Sequence, residues 1–238
     1  MEQETRLPAS RRITGGIAAL YLAAAYLVAM PYFILVVDYQ GAGSPAERLA
    51  LLAAHAGSMY AVTLITYVVF GLALAVLALA LHDRFAEAAP LAARLVAGLG
   101  LVWAGLLVAS GAVFNVGMEN ALGLRATDAE AAIAGWRTVE TVADALGGAG
   151  GEIPGGTWVL LVGLAGLRSK RLPRALGWSG MTIGAVGLAS AIPALRDAAM
   201  LFGALQIPWL AWLAVVLLRK RQPAGIPSPA HTELGTRV

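Results

Sequence analysis

Glu152 stands in the stretch GGAGGEIPGGTW, residues 147–158, which has six glycines in its first ten positions, one proline and no other charge. Apolar residues follow as far as Leu167, and then come Arg168, Lys170 and Arg171. Counting back from Leu167 at about 1.5 Å per residue puts Glu152 roughly 22 Å from that basic cluster, within a hydrocarbon core of about 30 Å. A carboxylate at such a depth costs a few kcal/mol unless it is paired, hydrated or protonated, and it faces other helices rather than lipid. The glycines let neighbouring helices approach closely, and irregular backbone is tolerated in a membrane where it lines a cavity. On this reading the stretch is the wall of an outward-facing polar pocket. A second reading stays open, in which the glycines end a loop, the helix starts at Pro154, and Glu152 is a solvated residue favoured by the helix dipole. Residues 154–167 alone are short of the roughly 20 needed to cross a bilayer, which weighs for the pocket.

The other polar residues in apolar surroundings share the same level. Gln206 lies about 18 Å above Leu218, and Thr63 and Thr66 lie about 27 and 22 Å above Leu81. Asn115 is close to the outer boundary of its apolar run and Glu119 is just past it. Glu152, Gln206, Asn115, Glu119 and Thr66 are therefore the candidate ligand-binding residues. Pro208 removes a hydrogen bond to the carbonyl of Ala204, beside Gln206. His55 with Glu119, Glu140 or Glu152 has carboxylate and imidazole donors, but no HxxxH or ExxH spacing, so no metal site is assigned. Ser58, Ser110 and Ser190 lack the GxSxG context of an activated nucleophile. Cysteine is absent, which excludes thiolate chemistry and disulfides. No cofactor motif is present, and no catalytic residue is assigned.

The elements that must hold these residues follow from composition. The 238 residues are 59% hydrophobic and 13% charged, with a mean hydropathy of +0.74; soluble domains carry about 25% charged residues. Six segments qualify, or nearly qualify, as membrane spans: 14–37, 57–81, 91–116, 148–167, 175–194 and 198–218. With both termini in the cytoplasm, thirteen Lys and Arg residues fall inside, from Arg6 to Arg237, against Arg48, Arg125, Arg137 and Arg196 outside. The net charge of +3 thus reports topology and not nucleic-acid binding. SRRIT, residues 10–14, resembles a twin-arginine signal, yet the apolar run through Val37 exceeds a signal core of about 7–15 residues. Residues 1–13 are expected to form a cytoplasmic N-terminus, 14–218 a six-helix transmembrane domain, and 219–238 a disordered cytoplasmic tail.

The outer loop between spans three and four holds one more helix. Thr127-Asp128-Ala129-Glu130 has the form of a capping box, and Ile133, Trp136, Val139, Ala143 and Leu146 recur at helical spacing. The 127–146 segment is expected to be amphipathic, lying along the outer membrane surface or folded over the bundle as a lid. Trp158 and Trp178 fit anchoring at the membrane interface. Gly180 and Gly184 in GMTIG form a small-xxx-small helix contact.

From residue 145 to 219 the chain resembles a family of bacterial multi-pass membrane proteins known only as a domain of unknown function. The likeness is carried by Glu152, then Gly155, Gly156 and Trp158, then Leu172, Pro173 and Arg174, then Trp209 and Trp212, with HDRF (82–85) earlier. It implies an all-α, six-span protein and brings no activity. The leading expectation is an inner-membrane protein binding a small or lipid-like ligand in an outward-facing pocket. The alternatives are an integral-membrane enzyme on a lipid or isoprenoid substrate, with Glu152 as general acid, and a scaffold subunit without a ligand. Expected partners are the bilayer and that ligand, with no nucleic acid.

Overall fold

A computed structural model describes residues 9–39, 41–147 and 152–219, and every regular element among them is helical. Helix α1, Ala9–Pro31, continues into a π-helical turn at Tyr32–Val36. Helix α2, Pro45–Thr63, is kinked at His55, whose backbone is non-helical (φ −120°, ψ 16°), and a π-helical segment Leu64–Val69 and helix α3, Phe70–Phe85, follow it directly. Then come α4 (Pro90–Leu124), α5 (Ala129–Gly147), α6 (Ile153–Ser169), α7 (Arg174–Ala189) and α8 (Ala198–Leu218). The chain is thus all-α. Four helices are long and apolar enough to cross a membrane: Arg12–Val36, Pro45–Phe85, Pro90–Leu124 and Ala198–Leu218. Helices α6 and α7, at 17 and 16 residues, fall below the roughly 20 of a straight crossing. The start of the expected fourth span, 148–151, and the tail from residue 220 lie outside the described residues.

Helix ends follow local chemistry. Ser44 accepts from the Glu47 N–H at 3.2 Å, and the Glu47 carboxylate accepts from the Gly43 N–H at 2.7 Å. Pro45 fills the first helical position, where a missing N–H costs nothing. At α5 the cap is one residue later than the capping-box pattern implies. Asp128 accepts from Ala131 N–H at 2.9 Å, while the Thr127 hydroxyl turns back to the Leu124 carbonyl. Lys170 ends α6 in the left-handed region, φ 54°.

Six helices close into a ring in the order α1, α3, α4, α6, α7, α8 and back to α1. One end of the ring is basic: Arg12 donates to the Arg219 carbonyl, and Arg84 donates twice to the Arg171 carbonyl, at 3.1 and 2.8 Å. The main core fills the ring with Leu22, Leu74, Leu77, Leu81, Trp158, Leu176, Phe202 and their neighbours. A second, smaller core lies at the opposite end, where Leu49, Leu52, Met59, Met118 and Ala121 pack around Ala132 and Trp136 of α5.

That second core explains three departures from the sequence-based expectation. The second long helix begins at Pro45 rather than residue 57, and the third runs to Leu124 rather than 116. Both extensions find an apolar partner in α5, so they stay helical beyond the length a bilayer requires. Helix α5 does not lie flat across the bundle. Ser110 donates to the Ala143 carbonyl at 2.8 Å and Gly117 lies against Val139, so α5 runs antiparallel to α4. Its last residue, Gly147, reaches the level of Ser110, within the expected third span.

Trp158 is also not an interface anchor. It is fully buried in the ring and donates from Nε1 to the Val96 carbonyl at 2.9 Å, whereas Trp178 is 62% exposed, where an anchor belongs. The GMTIG glycines meet different partners: Gly180 the Trp209 indole, Gly184 the backbone of α6. Between α6 and α7 backbone meets backbone. A Cβ at Gly156 would lie 2.7 Å from the Leu188 nitrogen, one at Gly163 2.5 Å from the Gly177 oxygen, and one at Gly184 2.5 Å from the Leu160 nitrogen. No flexible side chain stands there to yield, so Gly156→Ala and Gly184→Ala should each destabilise by about 1–3 kcal/mol through overpacking. Gly98→Ala and Gly105→Ala, whose Cβ would meet nothing within 4 Å, should be neutral or stabilising by up to about 1 kcal/mol. Thermal unfolding in detergent reads the difference, and equal effects at the two pairs of sites would refute the seam.

Candidate functional site

The start of α6 is held on α7. Glu152 is the N-cap residue, and its own N–H donates to Ser190 Oγ at 2.9 Å. Ser190 in turn donates to the Gly187 carbonyl at 2.6 Å. This brings the Glu152 side chain inside the ring. Gly155, one residue short of a turn further on, abuts both Trp103 and the carboxylate: its Cβ would lie 2.8 Å from Trp103 Cζ2 and 3.0 Å from Glu152 Oε2. Trp103 is about 20 Å along α4 from Pro90, so Glu152 is level with the middle part of that helix and not with the loops at its end.

Three further elements converge on the carboxylate. Trp103, which meets Glu152 at Gly155, leads through Phe70 to Tyr26 of α1, and Tyr67 of the π-helical segment lies against Gly147 of α5. Gln206 of α8 is fully buried and donates from Nε2 to the Tyr26 hydroxyl at 3.4 Å. Tyr26 meets Phe70 edge-on at 5.2 Å between centroids, and Phe70 meets Trp103 at 6.4 Å. These rings form an aromatic wall from α1 across α3 to α4. Glu152 Oε2 and Gln206 Oε1 are both buried and have no hydrogen-bond partner among the described residues. A buried acceptor left without a donor costs roughly 1–3 kcal/mol, more when charged. Glu152, Tyr26 and Tyr67 are half-buried as whole residues, so the cluster they belong to is not wholly sealed.

The π-helical segment matters for this convergence. Its wider turn interrupts the regular α-helical register between α2 and α3, and such segments occur often at functional sites. Tyr21 donates to the Ile65 carbonyl in it at 2.7 Å, satisfying backbone that the wide turn loosens.

The five candidate residues do not all meet. Glu152 and Gln206 come together through Tyr26. Asn115 is buried about 18 Å further along α4 than Trp103, donates to the Tyr60 carbonyl at 3.4 Å and has its Oδ1 unpartnered; it belongs to the contact of α2 with α4. Glu119 is exposed. Thr66 is buried next to Tyr67 and bonds the Val62 carbonyl of its own helix at 2.8 Å. Among the described residues no group of three His, Asp or Glu is placed to hold a metal, so His55 does not join the carboxylates. Sequence reasoning missed Tyr26, Tyr67, Trp103 and Ser190. The available signal was a phenol in the middle of an apolar run, since a buried Tyr hydroxyl usually finds a polar partner.

Above the recess, α5 is latched to the rest of the bundle. Tyr39 accepts from Trp136 Nε1 and donates to Glu140 Oε1, both at 2.9 Å. Arg48 reaches the same Glu140 oxygen at 2.8 Å and lies over the Tyr39 ring at 5.7 Å. Burial, and then the Glu140 charge, push the Tyr39 hydroxyl well above its ordinary value. One turn beyond Glu140, Asp144 is raised to about 6, by loss of hydration first and by the Glu140 charge second, against the pull of Arg48. Its charge also acts on Tyr67. Two surface depressions lie elsewhere, one of about 340 Å³ lined by Val37, Asp38 and Glu47, the other of about 270 Å³ lined by Leu91, Leu95, Leu161 and Arg168.

The Asp144 value carries a pH dependence. An acid whose folded pKa is about 6, against 3.8 ordinarily, adds no penalty below pH 3.8 and its full penalty above 6, so stability falls as pH rises through that window. Asp144→Asn should match the wild type in melting temperature near pH 4 and exceed it above pH 6. A constant offset at all pH values would refute this assignment.

Residues 17–220 match the family described as Domain of unknown function (DUF4386). No curated protein and no solved structure matches the chain. The match runs from within α1 to the end of α8, with Glu152, Tyr26, Tyr67 and Gln206 inside it, and the chain belongs to the DUF4386 family.

Proposed function

We propose that this chain is an integral membrane protein that binds a small ligand in the recess at Glu152. The observation that carries the reading is the pair of buried acceptors, Glu152 Oε2 and Gln206 Oε1, left without donors among the described residues. A helix bundle that encloses a carboxylate at mid-depth without a partner spends stability on it, and in membranes such residues mark sites of function. The polar groups gather in the half of the ring nearer α5, while the half nearer the basic end is filled by Leu74, Leu77, Leu81, Leu176 and Leu217. This supports access from the α5 side.

Six crossings with both termini in the cytoplasm complete the proposal. In support of six crossings, α6 and α7 close the ring beside the four longer helices. The Lys and Arg residues at the opposite end then face the cytoplasm, and the α5 end faces outward from a bacterial inner membrane. Helix α5, latched by Arg48 and Glu140, acts as the lid. A second reading, an enzyme on a lipid or isoprenoid substrate with Glu152 as general acid, rests on the closeness of Glu152 to two phenol hydroxyls.

The chain has no cysteine, so a single thiol is a clean probe. Glu152→Cys in intact cells should react with a membrane-impermeant thiol reagent at least about tenfold more slowly than Glu130→Cys on the exposed side of α5. Breaking the latch with Arg48→Ala should raise the rate at position 152 and leave that at 130 unchanged. Equal rates at 152 and 130 without that change would make Glu152 a loop residue and end the proposal.

A further inference from the structure

Resting on that reading, we infer that the ligand of the recess is a protonated organic amine, held by the Glu152 carboxylate and the Gln206 carbonyl against the Tyr26–Phe70–Trp103 wall. The polar atoms left over in the recess decide the class. Glu152 Oε2 and Gln206 Oε1 are both acceptors, both buried and both without a donor. Gln206 already uses its amide nitrogen on Tyr26, so it presents oxygen to whatever enters. A ligand that satisfies these two atoms brings N–H or O–H donors to both.

Charge narrows the choice. Glu152 is in no ion pair among the described residues. The Arg48 guanidinium is spoken for by Glu140 and the Tyr39 ring. An anion would meet the Glu152 carboxylate, and a neutral polyol would leave an ionised Glu152 uncompensated. A cation offsets it, and ring faces add attraction that grows as water is excluded. The lining is otherwise rings and glycine, which suits an alkyl or aryl substituent rather than a bare inorganic ion. Gly155 lies where the Trp103 edge and the carboxylate come closest, so a side chain there would close the recess.

The experiment uses the full-length protein purified in detergent, with benzylammonium as probe and benzyl alcohol and benzoate as its neutral and anionic counterparts of similar size. Thermal unfolding and tryptophan fluorescence are followed against concentration. Benzylammonium should raise the melting temperature saturably and perturb the fluorescence, while the other two should not. Glu152→Gln, which keeps shape and removes charge, should weaken the response at least tenfold. Tyr26→Phe, which removes only the hydroxyl that positions Gln206, should weaken it by a smaller factor, and serves also if Glu152→Gln folds poorly. Benzyltrimethylammonium, without N–H donors, should bind more weakly than benzylammonium. If benzyl alcohol stabilises as well as the amine and Tyr26→Phe abolishes both, the site stands and the cationic class is overturned. If no probe acts, the inference is overturned, and the labelling rate at position 152 then decides separately whether the recess exists.

Discussion

Where Gly156 of α6 meets Gly184, Gly187 and Leu188 of α7, no side chain separates the two backbones. Close approach of this kind substitutes for the hydrophobic effect, which gives little between helices already surrounded by lipid. The rest of the site depends on it. Because the two helices touch at this level, the end of α7 brings Ser190 within 2.9 Å of the Glu152 N–H. The first turn of α6 is thereby turned inward, and the carboxylate enters the ring rather than the surrounding lipid. The bulk that the seam excludes is supplied by Trp103 of α4 and Trp209 of α8, and by Trp158 on another side of α6, each buried against a glycine.

The indoles also show how a nearly all-apolar chain obtains a single arrangement. Trp158 donates to the Val96 carbonyl and Trp209 to the Leu176 carbonyl at 3.1 Å. Each bond links two helices at one register, and each occupies a carbonyl that already serves its own helix. Aliphatic packing alone tolerates sliding of one helix along another; an N–H that must find an acceptor in a dry interior does not. The aromatic residues of this chain are thus locks first, and a wall around the recess second.

The α5 end is built on a different principle. There the contacts are a mixed set, in which Tyr39, Trp136, Glu140 and Arg48 form one connected network. Networks of this kind hold well when every member is satisfied and loosen together when one is lost. A rigid glycine seam at the floor of the recess and a polar latch at its mouth give the two ends unequal stability. That division suits a bundle whose base stays fixed while its mouth admits a ligand.

The sequence by itself determined the all-α class, the apolar segments and the presence of the α5 helix, because hydropathy and helical period are local properties. It missed the helical turns from Pro45 up to the kink at His55 and the continuation of the third long helix to Leu124, since both pack on α5, which is distant in the chain. It assigned Trp158 to an interface and Glu119 to a site for the same reason: which side of a helix faces inward is set by neighbours, and in a chain this apolar the pattern of hydrophobic residues hardly marks a side. Only the tertiary structure decided that Tyr26, Tyr67 and Trp103 stand around the carboxylate, because they come from three helices and share no spacing. The π-helical turn that contributes to Tyr67's placement has no residue signature of its own. It exists because the packed bundle stabilises a wider turn that an isolated helix, with its tighter and better hydrogen-bonded geometry, would not keep.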